Sequence, residues 1–198
     1  MSAYALILAG GRGSRLGDVR KGDLRIGGHR LIERIAGRLP DMPILVSTGP
    51  GQAPELSSGT AIADDSSAFD GPMAGILAAT RHLAGRARDN VLLLTVAVDT
   101  PFLPRDFVTR MESALTGSVR AAYAAWGDEI YPTNAIYRLS ALAPLLVGPA
   151  PDSPKRLQAG LEAARIDWAG LCAANPFANL NTLADLIALG QRALADEE

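Results

Sequence analysis

Residues 3–22 read AYALILAGGRGSRLGDVRKG, an apolar run that breaks straight into glycine. Leu6, Ile7, Leu8 and Ala9 lead into Gly10 and Gly11, and Gly13, Gly17 and Gly22 follow among Arg12, Arg15, Arg20 and Lys21. A short apolar run of this kind is a buried strand, and the glycines end it in a loop whose backbone can approach a ligand closely. Glycines free backbone N–H groups to face an anion, while Arg and Lys neutralise its oxygens, so the composition points to phosphate. Single loop cations ordinarily only face water, and Arg12 and Arg20 are read that way. The string lacks the GxxxxGK[ST] of a P-loop. It also lacks a dinucleotide fingerprint, because Leu16 stands at the third glycine position and no acidic residue ends a second strand at the right distance.

Short apolar runs alternate with helical patterns along the rest of the chain. Strands are expected at 3–9, 43–47, 60–63 and 91–98, with 119–126 and 130–137 paired around Gly127-Asp128. Helices are expected at 29–39, 74–83, 104–115, 140–146, 154–164 and 182–194, with Pro104 near the start of its helix. The alternation predicts a three-layer α/β/α, Rossmann-like fold with a mostly parallel central sheet. No linker or internal repeat interrupts the pattern, so residues 1–198 are expected to form one domain. Such sheets bind ligands beyond the carboxyl ends of their strands. The glycine loop leaves one such end and Asp99 follows another.

The 198 residues carry a net charge of −2, with 48% hydrophobic and 20% charged side chains. That composition suits a globular core and gives no global case for binding nucleic acid or a membrane. No apolar run approaches the roughly 20 residues of a membrane span. The first residues carry no basic segment ahead of their apolar run, and the expected location is cytoplasmic. One cysteine, Cys172, allows no internal disulfide, and His29 and His82 alone make a zinc site unsupported.

LILAGGRGSRLGDVRKGDL at 6–24 resembles the LAGGxxxRMGxxKxxL signature of the nucleotidyltransferases that build nucleotide-linked sugars and cofactors. Within them the chain is most similar to the molybdenum cofactor guanylyltransferases. DDSSAFDGPMAGIL at 64–77, VDTPFLP at 98–104, YPTNAIY at 131–137 and FANLNTLADL at 177–186 match in order across nearly the whole length. The sequence departs from the signature at Leu16, which replaces methionine, and at Asp18 and Arg20, where the family commonly has glycine and an acidic residue. None of these removes a group the chemistry needs. The LAGG of 8–11 favours guanine, since cytidylyl relatives usually carry LAAG.

The resemblance implies transfer of GMP from GTP to the terminal phosphate of molybdopterin, with pyrophosphate released and Mg²⁺ required. Lys21, Arg15 and Asp99 are then the catalytic residues: the two cations meet the triphosphate and Asp99 holds the metal. An alternative for Asp99 is a cap for the helix near Pro104. Leu8, Ala9, Gly10, Gly11, Gly13, Ser14, Asp64 and Gly71 would border the nucleotide, with Leu8 also a core residue and Gly71-Pro72 also a helix-start turn. Pro132, Thr133, Asn134, Arg156, Asn179 and Asn181 would face the molybdopterin. Lys155 and Arg156 correspond loosely to a basic pair in the family that could hold the molybdopterin phosphate, and read almost as well as a solvated helix face; Asn181 reads also as a helix cap. The N-terminal half would thus bind GTP and the C-terminal half the acceptor. Transient contact with molybdopterin-delivering or molybdoenzyme-maturing proteins, and a monomer or weak oligomer, complete the expectation. A cytidylyl enzyme, a sugar-phosphate enzyme and a nucleotide-binding regulator without turnover are the alternatives.

Overall fold

The structure, a computed structural model, describes residues 2–10, 12–13, 19–39, 41–49, 54–64, 71–86 and 91–195. The chain enters with β1 (Ser2–Leu8), then two small hairpins, β2 (Arg12–Gly13) with β3 (Val19–Arg20) and β4 (Arg25–Ile26) with β5 (His29–Arg30). α1 (Leu31–Ala36), β6 (Ile44–Ser47), β7 (Gly59–Ile62) and α2 (Pro72–Leu83) follow. Next come β8 (Val91–Ala97), α3 (Phe107–Ser113), β9 (Ala121–Trp126) and β10 (Glu129–Arg138). The chain ends with α4 (Leu139–Leu142), α5 (Pro154–Gly160), β11 (Ala164–Asp167) and α6 (Leu183–Ala195).

Seven strands make one sheet in the order β11-β9-β10-β8-β1-β6-β7. Pairings are parallel except at β10, which runs against both β8 and β9. Alternation along the central strands feeds two cores, as a pleated strand buried on both faces must. Ala5, Ile7, Leu92, Leu94 and Val96 meet Leu31, Ile32 and Ile35 of α1, Phe107 and Met111 of α3, and Leu189 of α6. Leu6, Leu8, Val91 and Leu93 meet Met73, Ile76 and Leu83 of α2, Leu139 and Leu142 of α4, and Leu157 of α5. The sheet therefore lies between two helical layers, the α/β/α fold that the alternation predicts.

Four helices depart from the sequence reading by more than two residues at an end. The helix expected at 29–39 is only α1, because His29 and Arg30 pair with Arg25 and Ile26 as a hairpin. The helix expected from Pro104 begins at Phe107, whose N–H turns back on the Pro104 carbonyl at 3.1 Å. The helix expected at 140–146 is α4 and a 3₁₀ turn, Ala143–Leu146, since Pro144 has no N–H to donate. The helix expected at 154–164 stops at Gly160, and Ala164–Asp167 is an edge strand that the sequence pattern does not reveal.

The close fit of α2 on the sheet depends on Gly75. A Cβ there would lie 2.6 Å from Ser47 Oγ and 2.9 Å from Leu8 Cδ2. Glycine to alanine inside an open helix gains about 1 kcal/mol. At Gly190 of α6 nothing lies within 4 Å of the added Cβ, so Gly190→Ala is expected to stabilise by that order. Gly75→Ala is expected instead to destabilise by about 1–3 kcal/mol, through overpacking. Urea unfolding of the two variants reads the opposite signs.

Candidate active site

The sheet reverses its order between β1 and β8. From β1 the chain steps outward to β6 and β7, then returns to lay β8 on the other side of β1. At such a switch point the connections on the two sides lead to opposite faces, and open α/β sheets hold their ligands in the crevice that results at the carboxyl edge. Val98 N–H donates to the Leu8 carbonyl at 3.2 Å, so the two loops start side by side.

Lys21 and Asp99 meet in this crevice. Lys21 opens a 3₁₀ turn, Lys21–Asp23, after β3, and its Nζ donates to Asp99 Oδ2 at 2.8 Å and to Asn181 Oδ1 at 2.6 Å. The ion pair is mostly shielded, with 12% of the lysine side chain and 21% of the aspartate exposed. The turn is pressed against the loop after β6: a Cβ on Gly22 would lie 2.7 Å from Pro54 Cγ. Asp99 sits in a tight turn, with Thr100 N–H returning to the Ala97 carbonyl at 3.3 Å, and its own carbonyl accepts from Leu180 N–H at 2.9 Å. Asp99 is therefore no helix cap, since α3 starts only at Phe107.

The asparagine belongs to a built corner. Thr182 caps α6: its hydroxyl accepts from Asp185 N–H at 3.2 Å, and Asp185 Oδ2 accepts from Thr182 N–H at 2.8 Å and Asn181 N–H at 2.9 Å. This capping box leaves the Asn181 side chain for Lys21. Those backbone donors, Asn181 first, hold the Asp185 carboxyl below its usual value of 3.8, with the Thr182 hydroxyl and the Lys21 charge adding to them. The capping role considered for Asn181 thus belongs to Thr182, and the T-x-x-D pattern is the signal that places it.

A second group forms at the end of β6. Asp64 accepts from Ser47 Oγ at 2.6 Å and from Gly49 N–H at 3.1 Å. Half-burial raises its carboxyl above the usual value, against the pull of those two donors. Gly10 reaches the same place: a Cβ on it would lie 2.9 Å from Gly49 Cα and 3.6 Å from Asp64 Oδ2. Gly49 has φ +61 and Gly71, which precedes α2, has φ +68, conformations that suit glycine. Ser47 and Gly49 carry this group, and neither stands out in the sequence.

The other expected residues fall unevenly. Leu8 and Ala9 are buried core positions at the carboxyl end of β1. Gly11, Ser14 and Arg15 lie outside the described residues, and Gly13 is placed only as backbone of β2. Pro132 and Thr133 are half-buried and Asn179 is exposed. Asn134, expected to face the acceptor, is instead fully buried, its amide engaged by the main chain of β8 and by Thr100. Arg156 is 73% exposed and paired with Asp152 one helical turn earlier, on the open face of α5.

The donor set suits a hard divalent cation that arrives with phosphate. Magnesium takes one or two carboxylates and completes its shell with waters and phosphate oxygens. Asp99 offers such a carboxylate, and no cluster of three or more His, Cys, Asp or Glu among the described residues would hold an ion by itself.

Fold, crevice and cation–carboxylate pair define a phosphate-handling α/β transferase. Residues 5–164 match the MobA-like NTP transferase domain model, and the chain belongs to that family. It is 32% identical over 192 residues to the molybdenum cofactor guanylyltransferase of Rhizobium meliloti (strain 1021), covering 92% of this chain and 88% of the relative. It is 35% identical over 188 residues to the enzyme of that name from Serratia proteamaculans (strain 568), covering 92% and 91%. The fold matches the structure of molybdopterin-guanine dinucleotide biosynthesis protein A from Archaeoglobus fulgidus with a TM-score of 0.70, 21% identity and coverage of 99% and 100%. It also matches 2-C-methyl-D-erythritol 4-phosphate cytidylyltransferase from Thermus thermophilus with a TM-score of 0.66, 20% identity and coverage of 98% and 100%.

Asp185 yields a pH-dependent prediction. Its folded carboxyl titrates below 3.8, so its stabilising contribution is full above that value and is lost as pH falls through the folded pKa. Asp185→Ala is expected to lower stability at neutral pH by about 1 kcal/mol, the scale of a lost helix cap. The gap to wild type, read by urea unfolding across pH, should close in acid.

Proposed function

We propose that the chain transfers GMP from GTP to the terminal phosphate of molybdopterin and releases pyrophosphate. The observation that carries this reading is the Lys21–Asp99 pair at 2.8 Å, set at the carboxyl edge that β1 and β8 share. An acceptor phosphate oxygen attacks the α-phosphorus, and the bond from that phosphorus to the β-phosphate bridging oxygen breaks. Both partners are anions, so catalysis is chiefly charge neutralisation and alignment. An ammonium has three N–H donors; among the described residues Asp99 and Asn181 take two from Lys21, which leaves the third for a phosphate oxygen. Asp99 would hold Mg²⁺, which when bound supplies Lewis-acid charge stabilisation at the phosphates. Arg15, matched to the family's signature arginine, is assigned to the β- and γ-phosphates.

The Gly10–Gly49–Asp64 group is assigned to the nucleoside. Its backbone approaches closely, and its fixed carboxylate can accept from ribose or base donors. Asn179, Asn181, Pro132 and Thr133, on the C-terminal side, are assigned to molybdopterin. The reading thus keeps GTP with the N-terminal half and the acceptor with the C-terminal half. The relatives named molybdenum cofactor guanylyltransferase, matched over most of both chains, support GTP and molybdopterin as substrates.

Pyrophosphate release with molybdopterin and Mg²⁺, compared across GTP, CTP and sugar phosphates, tests the proposal. GTP with molybdopterin is expected to turn over fastest, and preference for CTP or a sugar phosphate would overturn it. Lys21→Met and Asp99→Ala are each expected to lower kcat about 100-fold or more, the scale of removing one aimed charge from a transition state. Wild-type turnover in Asp99→Ala would remove the metal assignment.

A further inference from the structure

We propose that Asn134 is a positioning residue for Asp99, clamping both ends of the turn that carries that carboxylate. The inference rests on the reading of Asp99 as the carboxylate that meets the metal and the phosphates. Asn134 Oδ1 accepts from Ala97 N–H at 2.8 Å, at the first residue of the turn. Its Nδ2 donates to Thr100 Oγ1 at 3.3 Å, at the last residue, and that hydroxyl donates to the Ala97 carbonyl at 2.9 Å. One amide therefore bridges Ala97 and Thr100, and Asp99 lies between them.

The backbone of β10 is shaped to allow this. Ala135 stands opposite Thr95 of β8, and extending that register would set Thr133 opposite Ala97. The ladder stops first, because β10 bulges between Tyr131 and Ala135 against β9. The Asn134 side chain replaces the missing strand carbonyl at Ala97. The bulge is itself held, since Gln158 Nε2 of α5 donates to the Pro132 carbonyl at 2.7 Å and to the Tyr137 hydroxyl at 2.8 Å. Asn134, Thr100 and Gln158 are all buried, so water does not compete for these bonds. A buried amide that fixes a turn in this manner acts on the ligand carboxylate as outer-shell partners act on metal ligands, by restricting its direction.

Mn²⁺ binding to the full chain with a non-hydrolysable GTP analogue, followed by the electron paramagnetic resonance of free Mn²⁺, reads the placement of Asp99 without turnover. Asn134→Leu keeps the bulk and removes both the acceptor and the donor of the amide. Its Mn²⁺ affinity is expected to fall about tenfold, the scale for losing an outer-shell partner. Nucleotide affinity measured in chelator should stay at the wild-type value, and kcat should fall with the KM for GTP unchanged. A folded Asn134→Leu protein that binds Mn²⁺ as wild type does overturns the proposal. Equal losses of Mn²⁺ and metal-free nucleotide affinity also overturn it, by making Asn134 a support for the fold at large. If Asn134→Leu does not fold, Thr100→Val is measured in the same way; a weaker loss of Mn²⁺ affinity is expected, and an unchanged value overturns the clamp. A wild-type chain that holds no Mn²⁺ with nucleotide defeats the reading of Asp99 as the metal carboxylate and this inference with it. Wild-type binding that Asn134→Leu leaves untouched defeats the positioning role alone.

Discussion

Strands β1 and β8 run side by side in the same direction for seven pairs, from Ser2 opposite Val91 to Leu8 opposite Ala97. Because the pairing is parallel, both strands finish at one edge of the sheet, and Val98 bonds to Leu8 there. Lys21 and Asp99, both assigned to the phosphates, depend on that shared edge. Lys21 comes from the β1 side and Asp99 from the β8 side, and their ion pair at 2.8 Å joins the two segments. A slip of one residue in this register would turn Ala5 and Ile7 toward the layer that packs Leu6 and Leu8. The two cores thus protect the alignment of the site.

The charges in the crevice are arranged so that each is held by something rigid. Asp99 is fixed by its turn and by Leu180, Asn181 by the capped start of α6, and Asp64 by Ser47 and Gly49. Long side chains usually lose rotamer freedom when they bind an anion. Lys21 has lost part of it already, through two short bonds. Removing Asp99 from such a shielded pair would leave a cation without its partner, which destabilises more than the pair itself contributes. Preorganisation and stability are therefore coupled at Lys21.

Much of this is legible in the sequence, and what is not has identifiable causes. The central strands stand out because residues buried on both faces are continuous apolar runs, as at 91–98. Strand β11 does not, because Arg165 and Asp167 point away from the core at the sheet edge, and they follow directly on a helical pattern. Motifs single out Lys21, Asp99 and Asn181, but their mutual contact spans 160 positions and no spacing rule reveals it. Asn134 is misplaced by its motif for a related reason. Asparagine in a strand usually faces solvent or a ligand, whereas this one lies in the bulged stretch of a strand covered on both faces and is fully buried. Ser47 is invisible because a hydroxyl at the end of ILVS reads as the strand simply running into its loop.

The single reversed strand is what joins the two halves of the site. Were β10 parallel to β8, its final residues would lie at the carboxyl edge and the chain would leave the sheet there. Running the other way, β10 brings its early residues, 132–134, to that edge, while Arg138 ends opposite Leu92. A bulge near the start of a strand can then support the neighbouring turn without interrupting the seven-stranded sheet. The same reversal sends the chain into α4 at the opposite edge, so α5 can return beneath the bulge and hold Pro132 through Gln158. One antiparallel pairing in a parallel sheet thereby ties the Asp99 turn to the C-terminal half, the side assigned to the acceptor.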